Sequence, residues 1–296
     1  MKREVGVLGL AGLILGLRGE KSLSCCIVSS LPQVSADTPS VSSAQLPPLR
    51  IIGTTSERIM EALQLHEGQA YADWVRQLSK RWQGIPYGSG GNGLGPDELL
   101  LNLNQVDCMT AIENLLALHQ AYIVGTKNIQ GFAKALVAVR YQAAPPCRWE
   151  DRYHYLTHAF TKWERMGWGV WLPLGLPDNR PIHYISQNPQ KYRGFKDWVY
   201  IRSVERELTT RTRYYIPSAL VREWLPMLRD GDFVAFIPSQ EGLDVSHVGV
   251  FLWEGERATF SHASLSARKW VHGEDLCAYL DRRRDKIKGI TVFRPF

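Results

Sequence analysis

The chain changes its period part-way along, and that change limits what it can fold into. Up to about Met166 the apolar residues recur at helical spacing, and from about Pro181 short runs separated by turns take over. Cys108 to Tyr122 is the clearest helix, because Ile112, Leu115, Leu116 and His119 fall three and four apart. Further helices are predicted over Ser56–Leu65, Ala70–Trp82, Ile129–Arg140 and Asp151–Met166. Strands are predicted over Ile182–Ile185, Phe233–Ile237, Val248–Trp253, Ala258–His262 and Ile290–Phe293, and Val204–Ile216 alternates in part. Ser218–Leu228 and Asp275–Lys286 read as helices between them, and Glu254-Gly255-Glu256 as the turn of a hairpin. Helices first and an antiparallel sheet second is an α+β arrangement.

With 296 residues, 45% hydrophobic and 22% charged, the chain can bury a sizeable core and is not a disordered or fibrous sequence. No apolar run reaches the ~18 residues that a membrane span needs. The net charge is +6, but Lys and Arg are spread along the chain. The run Arg282-Arg283-Arg284 lies between Asp281 and Asp285 and reads as a solvated helix face, so no nucleic-acid partner is expected.

The first residues read as an export signal. Met1-Lys2-Arg3 is basic, Val5–Leu17 is an apolar run of signal length, and Val34-Ser35-Ala36 offers small residues for cleavage. An uncleaved anchor and a lipoprotein start at Cys25 are the alternatives. Residues 37–50 read as a flexible linker, rich in Ser, Pro and Ala, and residues 51–296 as one domain. Residues 1–36 carry four positive and two negative charges, so their removal brings the net charge from +6 to +4. Removal also leaves Cys108, Cys147 and Cys277, an odd number. One of them at least is free or pairs outside the chain. Cys147 and Cys277 can join or stay buried.

Cys108 opens its helix in Val106-Asp107-Cys108-Met109-Thr110. Free backbone N–H groups and the positive end of the helix dipole favour thiolate there, so a lowered pKa and a nucleophilic role are expected. A small buried hydrophobe is the other reading. His247 and His262 lie on the two strands of the predicted hairpin. If it is regular, their rings meet, with His247 as base and His262 as the group that orients it. Otherwise each is an ordinary hydrogen-bonded sheet residue. His154 and His158 share a face of the predicted helix, but Tyr155 stands where a zincin needs Glu, so no metal is expected. His119 reads as a core histidine. Ser246, Ser261 and Ser264 lack a nucleophile elbow. The Gly-rich loop Gly84–Gly95 lacks the Lys of a phosphate loop, and no cofactor is expected.

Taken in order, Gly84-Ile85-Pro86-Tyr87-Gly88, Asp107-Cys108-Met109-Thr110, Arg140-Tyr141, Arg152-Tyr153-His154-Tyr155, Tyr184-Ile185-Ser186, Gly242-Leu243-Asp244-Val245-Ser246-His247-Val248-Gly249 and Ser261-His262-Ala263-Ser264 resemble one family. It is the N-acetylmuramoyl-L-alanine amidase-like family of the NlpC-type, papain-like cysteine peptidase superfamily. The resemblance implies a papain-like α+β fold, with Cys108 as nucleophile, His247 as base and His262 as third member. It places Tyr87 near the thiol and implies an amidase acting on peptidoglycan fragments, anhydro-muropeptides among them, without a metal. His154, Tyr155 and Ser246 stand in matching segments as substrate-side residues. Arg140 and Arg152 are candidate partners for stem-peptide carboxylates, or else structural ion pairs. Where the family tends to carry an acid and a tryptophan, this chain has His158-Ala159-Phe160, which bears on substrate preference. An endopeptidase cutting between D-glutamate and diaminopimelate and a non-catalytic wall-binding module are the alternatives.

Overall fold

A computed structural model describes residues 46–88, 98–142, 151–193 and 195–296. The predicted leader, most of the linker, most of the Gly-rich loop and Cys147 lie outside these residues. Leu49 and Arg50, assigned above to the linker, form strand β1 (Leu49–Ile51), which pairs in parallel with β2 (Leu99–Leu101). Helices α1 (Thr55–Leu65), α2 (Tyr71–Arg81), α3 (Cys108–Ile123), α4 (Ile129–Arg140) and α5 (Leu156–Arg165) form the first half. In α3 every residue from Thr110 to Ala121 is buried. A helix covered on all sides is the centre of a core and not an amphipathic surface element. It packs on α4 along one side and on the sheet along another.

The second half is an antiparallel sheet. Its strands are β3 (Gly169–Leu172), β4 (Leu176–Pro177), β5 (Tyr214–Pro217), β6 (Phe233–Pro238), β7 (His247–Glu254), β8 (Arg257–Ser264), β9 (Lys269–Asp275) and β10 (Ile287–Pro295). The order is β4-β5-β10-β6-β7-β8-β9, and β3 shares the edge of β10 with β5. Alternation divides the core in two. Phe233, Ala235, Val248, Val250 and Leu252 face the helices of the first half. Val234, Phe236, Phe251 and Phe260 face the other way, onto Leu276, Tyr279 and Leu280 of helix α8 (Leu276–Asp281). The far edge of the sheet is covered by residues 84–87. Gly84 and Tyr87 donate backbone N–H to Trp270 and Arg268, and Trp270 donates back to Ile85.

Several predicted elements are corrected. Residues 152–155 are not helical; Arg152 bridges Tyr141 in extended conformation, and α5 starts at Leu156. Ile182–Ile185 is no strand but a single bridge from Ile182 to Gly242, followed by a turn. The partly alternating stretch holds helix α6 (Trp198–Thr210), which buries Ile201, Val204 and Leu208 at helical spacing, and only β5 is extended. Ser218–Leu228 is one turn of helix, α7 (Val221–Trp224), between two 3-10 turns. Pro226 stands in the second of these turns and supplies no backbone N–H to extend the helix. The hairpin joins β7 to β8 through Gly255-Glu256 as expected, with Gly255 at φ 62°.

Candidate active site

The end of α3 that carries Cys108 is fixed by a reciprocal cap. Asp107 Oδ1 accepts from the Thr110 N–H at 2.7 Å, and Thr110 Oγ1 accepts from the Asp107 N–H at 2.8 Å. This is a capping box with Thr in the place of the usual Glu, and it makes Cys108 the first helical residue. The N–H groups of Cys108, Met109 and Val248 all face the sulfur. Val248 adjoins His247 at the start of β7, so the thiol sits where that strand begins.

The thiol is not the activated one expected from its place on the helix. Burial pushes its pKa up to about 12, the Asp107 carboxylate adds to the rise, and the backbone N–H groups offset only part of it. His247 goes the opposite way, to about 3, through burial first and then its electrostatic coupling to His262 and Arg283. The resting pair is therefore a neutral thiol and a neutral imidazole. Tyr87 is brought in by pairing of its segment with the strand-like run before Asp107, since Val106 donates to Pro86 and Gly88 to Val106. Burial, then Cys108 and Asp107, raise its pKa to about 12, so the phenol keeps its proton and is a donor.

His247 Nε2 and His262 Nδ1 are 2.6 Å apart, with rings nearly perpendicular at 81°. The hairpin register pairs Val250 with Ser261, which sets the two histidines diagonally on the face that carries Phe236 and Tyr279. Gly249 makes this possible. A Cβ there would lie 2.7 Å from Ser261 O and 3.0 Å from the His262 Cβ. His262 Nε2 continues to Glu274 Oε2 at 2.7 Å, and Arg282 holds Glu274 Oε1 at 2.6 Å. The hydrogen bond from His262 keeps the Glu274 carboxyl below its ordinary range, against the effect of burial. Glu274 was not foreseen from the sequence. A glycine at 273 inside a strand-like run is the signal that could have pointed to it, as the mark of a bulge. Arg282 and Arg283 correct another expectation. The run Arg282-Arg283-Arg284 is solvent-facing at Arg282 and Arg284 as expected but follows α8 instead of lying on it, and Arg283 stacks over the Tyr279 ring at 3.8 Å.

The profile of the N-acetylmuramoyl-L-alanine amidase-like family matches residues 77–290. The chain belongs to that family. A crystal structure of an N-acetylmuramoyl-L-alanine amidase from Bacteroides uniformis superposes with a TM-score of 0.67 at 24% identity, over 82% of this chain and 99% of that one. A second structure so described from the same organism has a TM-score of 0.66 at 26% identity, over 74% and 98%. A Legionella pneumophila protein superposes at 0.60 with 21% identity, over 82% and 95%. No curated protein sequence matches.

In this amidase-like protein the remaining expected residues are divided between the site and the interior. Ser246 is exposed beside His247, its backbone N–H bonded to Phe236 O. Arg140 and Arg152 are 2% and 6% exposed and both bind Glu113 Oε2, at 2.9 and 2.8 Å. They are the structural ion pairs that the sequence left open, not guanidinium groups presented to a ligand. Tyr155 is likewise internal, donating to Glu205 at 2.7 Å and accepting from the Ile185 N–H. His154 lies ahead of α5, against the Phe195 ring, so it shares no helix face with His158. Among the described residues no group of three His, Cys, Asp or Glu side chains is arranged to hold a metal ion, and no helix is long and apolar enough to cross a membrane.

The loop before His247 is tied down from several sides. Arg180 donates to Pro238 O, Leu243 O and Asp244 O, and Asp178 grips the same guanidinium at 2.9 and 3.0 Å. Asp244 accepts from the Thr157 N–H and hydroxyl. These bonds fix the loop that leads into β7 and His247.

Proposed function

We propose that this protein is a cysteine amidase of the cell wall, cutting the amide between N-acetylmuramic acid and L-alanine in peptidoglycan fragments. The observation that carries this reading is the 2.6 Å contact of His247 with His262, one residue from the N–H that meets the Cys108 sulfur. Family membership supplies the bond class. We infer a papain-like, NlpC-type arrangement for the same reason. A cysteine at a helix start packs on an antiparallel sheet whose strands supply the histidines.

Because thiol and imidazole are both neutral at rest, proton transfer has to accompany attack. As the sulfur of Cys108 bonds to the lactyl carbonyl carbon, the thiol proton passes to His247. The carbonyl oxygen takes up the negative charge and meets N–H groups at the start of α3, a contact of a kind commonly worth about 3 kcal/mol. Tyr87 offers a second donor. His247 then returns the proton to the alanine nitrogen as the carbon–nitrogen bond breaks. A water, giving its proton to His247, attacks the thioester and releases the sugar acid, and the thiol recovers its proton. Intact muropeptides and anhydro-muropeptides are the substrates proposed. The signal-like sequence at 1–36 supports action outside the cytoplasm, in the periplasm or envelope.

The test is digestion of purified muropeptides by the protein and by Cys108→Ala, with products identified by mass spectrometry. A whole stem peptide freed from the sugar, lost in the variant, is the expected result. Release of a dipeptide instead would move the bond to the stem, and full activity in Cys108→Ala would remove the cysteine mechanism.

A further inference from the structure

We propose that Glu274 completes the proton relay as a positioning residue, setting the tautomers of both histidines so that His247 presents a bare Nδ1 towards the thiol. The proposal rests on the reading of Cys108 and His247 as nucleophile and base, but not on which bond is cut.

The hydrogen bonds run in one direction only. An ionised carboxylate can accept but not donate, so the 2.7 Å contact requires a proton on His262 Nε2. In a neutral ring that leaves His262 Nδ1 as an acceptor. The 2.6 Å contact between the rings then requires the proton of His247 to sit on Nε2. The remaining nitrogen of His247 is Nδ1, unprotonated and able to take the thiol proton. When it does so, the Nε2 proton of His247 can pass to His262 Nδ1. The positive charge then rests on His262, against the carboxylate, with no net change in the number of protons.

The fold builds this end of the relay deliberately. Strand β9 carries one residue more than β8 between the pairs Phe260–Glu274 and His262–Val271. Gly273 accommodates it at φ 74°, and its N–H bonds to the Ser261 hydroxyl at 3.4 Å. A bulge of this kind re-aims the side chains beside it. Arg282 then holds the second oxygen of Glu274 and fixes the plane of the carboxylate. The groups around the relay are Tyr279 from α8, Arg282 and Arg283 beyond it, and Cys108 from α3, which couples to Tyr279.

The experiment combines nitrogen NMR of the full chain labelled in histidine with kinetics. In the unmodified protein both His247 and His262 are expected to carry their proton on Nε2. In Glu274→Gln the His262 preference is lost, kcat on muropeptide falls about 10²-fold with KM little changed, and iodoacetamide alkylation of Cys108, read by peptide mass spectrometry, slows. Glu274→Asp recovers part of each. A proton on His262 Nδ1 in the unmodified protein overturns the proposal, and this arm needs no variant to fold. Unchanged tautomers and alkylation in Glu274→Gln overturn it too. If the muropeptide is not cut at all, the proposed substrate fails while the spectra and the alkylation still decide the role of Glu274.

Discussion

Glu113 and Arg140 form an ion pair 2.9 Å long, with 0% and 2% of the side chains exposed. Arg152 shares the same carboxylate oxygen at 2.8 Å. Two guanidinium groups on one buried carboxylate make a joint between α3, α4 and the segment before α5. Cutting such a joint leaves a buried charge without its partner, which costs about 3–5 kcal/mol. Glu113→Gln, which takes the carboxylate from both guanidinium groups, is therefore expected to lose about 3–5 kcal/mol of stability in urea titration, and Arg140→Met, which leaves Glu113 paired with Arg152, to lose less. The folded fraction of Arg140→Met should keep its KM for muropeptide. A stable Arg140→Met with a raised KM would return that residue to substrate binding.

The neutral thiol has a kinetic signature. With its pKa near 12, the thiolate fraction of Cys108 should grow about tenfold for each pH unit across the neutral range. Alkylation of Cys108 by iodoacetamide is expected to follow that slope, without a plateau. Fast labelling independent of pH between about 5 and 8 would instead reveal a thiolate–imidazolium pair.

Asp107 has two effects that one substitution separates. Its carboxylate caps α3 and also opposes ionisation of the thiol beside it. Asp107→Asn keeps an accepting oxygen and drops the charge. The sign is fixed: removing a negative neighbour lowers the Cys108 pKa, so alkylation at a given pH should become faster with little loss of stability. Asp107→Ala removes the cap as well and should cost about 1 kcal/mol in denaturant titration. Slower alkylation of a folded Asp107→Asn would contradict the electrostatic account.

Gly249 is required by its neighbours and not by its own backbone angles. The Cβ of an alanine there would meet the Ser261 carbonyl at 2.7 Å and the Phe260 ring at 2.7 Å. Neither can move without shifting β8. Gly249→Ala should lose about 1–3 kcal/mol of stability and, because β8 carries His262, more activity than its stability loss explains. A variant as active as the parent would show that the hairpin can give way without disturbing the histidines.

The parts of this site that could be read in advance are those encoded locally. Asp107 and Thr110 announce a helix start within four residues, and Glu254-Gly255-Glu256 announces a tight hairpin, which places His247 against His262. Glu274 depends on a bulge two strands away from His247, and no local pattern states the register of β9. The inward turn of Arg140 and Arg152 was equally out of reach, since it depends on α3 being buried on all sides and carrying Glu113 there. Helix α6 was obscured because Ile201, Val204 and Leu208 fit the helical period only once the strand-like residues after Thr210 are set aside. The rise of the Cys108 pKa was missed for a similar reason, because the helix end is visible in sequence and the depth of its burial is not.

The strip of chain that brings Tyr87 to the thiol also runs along β9 as though it were a further strand, from the Gln83 side chain on His272 to the Tyr87 N–H on Arg268. An uncovered strand at that place would offer its backbone to any other chain. The same few hydrogen bonds thus cover this edge and seat Tyr87 beside Cys108. Selection that loosened this strip to admit a larger ligand would expose a pairing surface at the same moment. Change in this strip is then freer in its side chains than in its length or path.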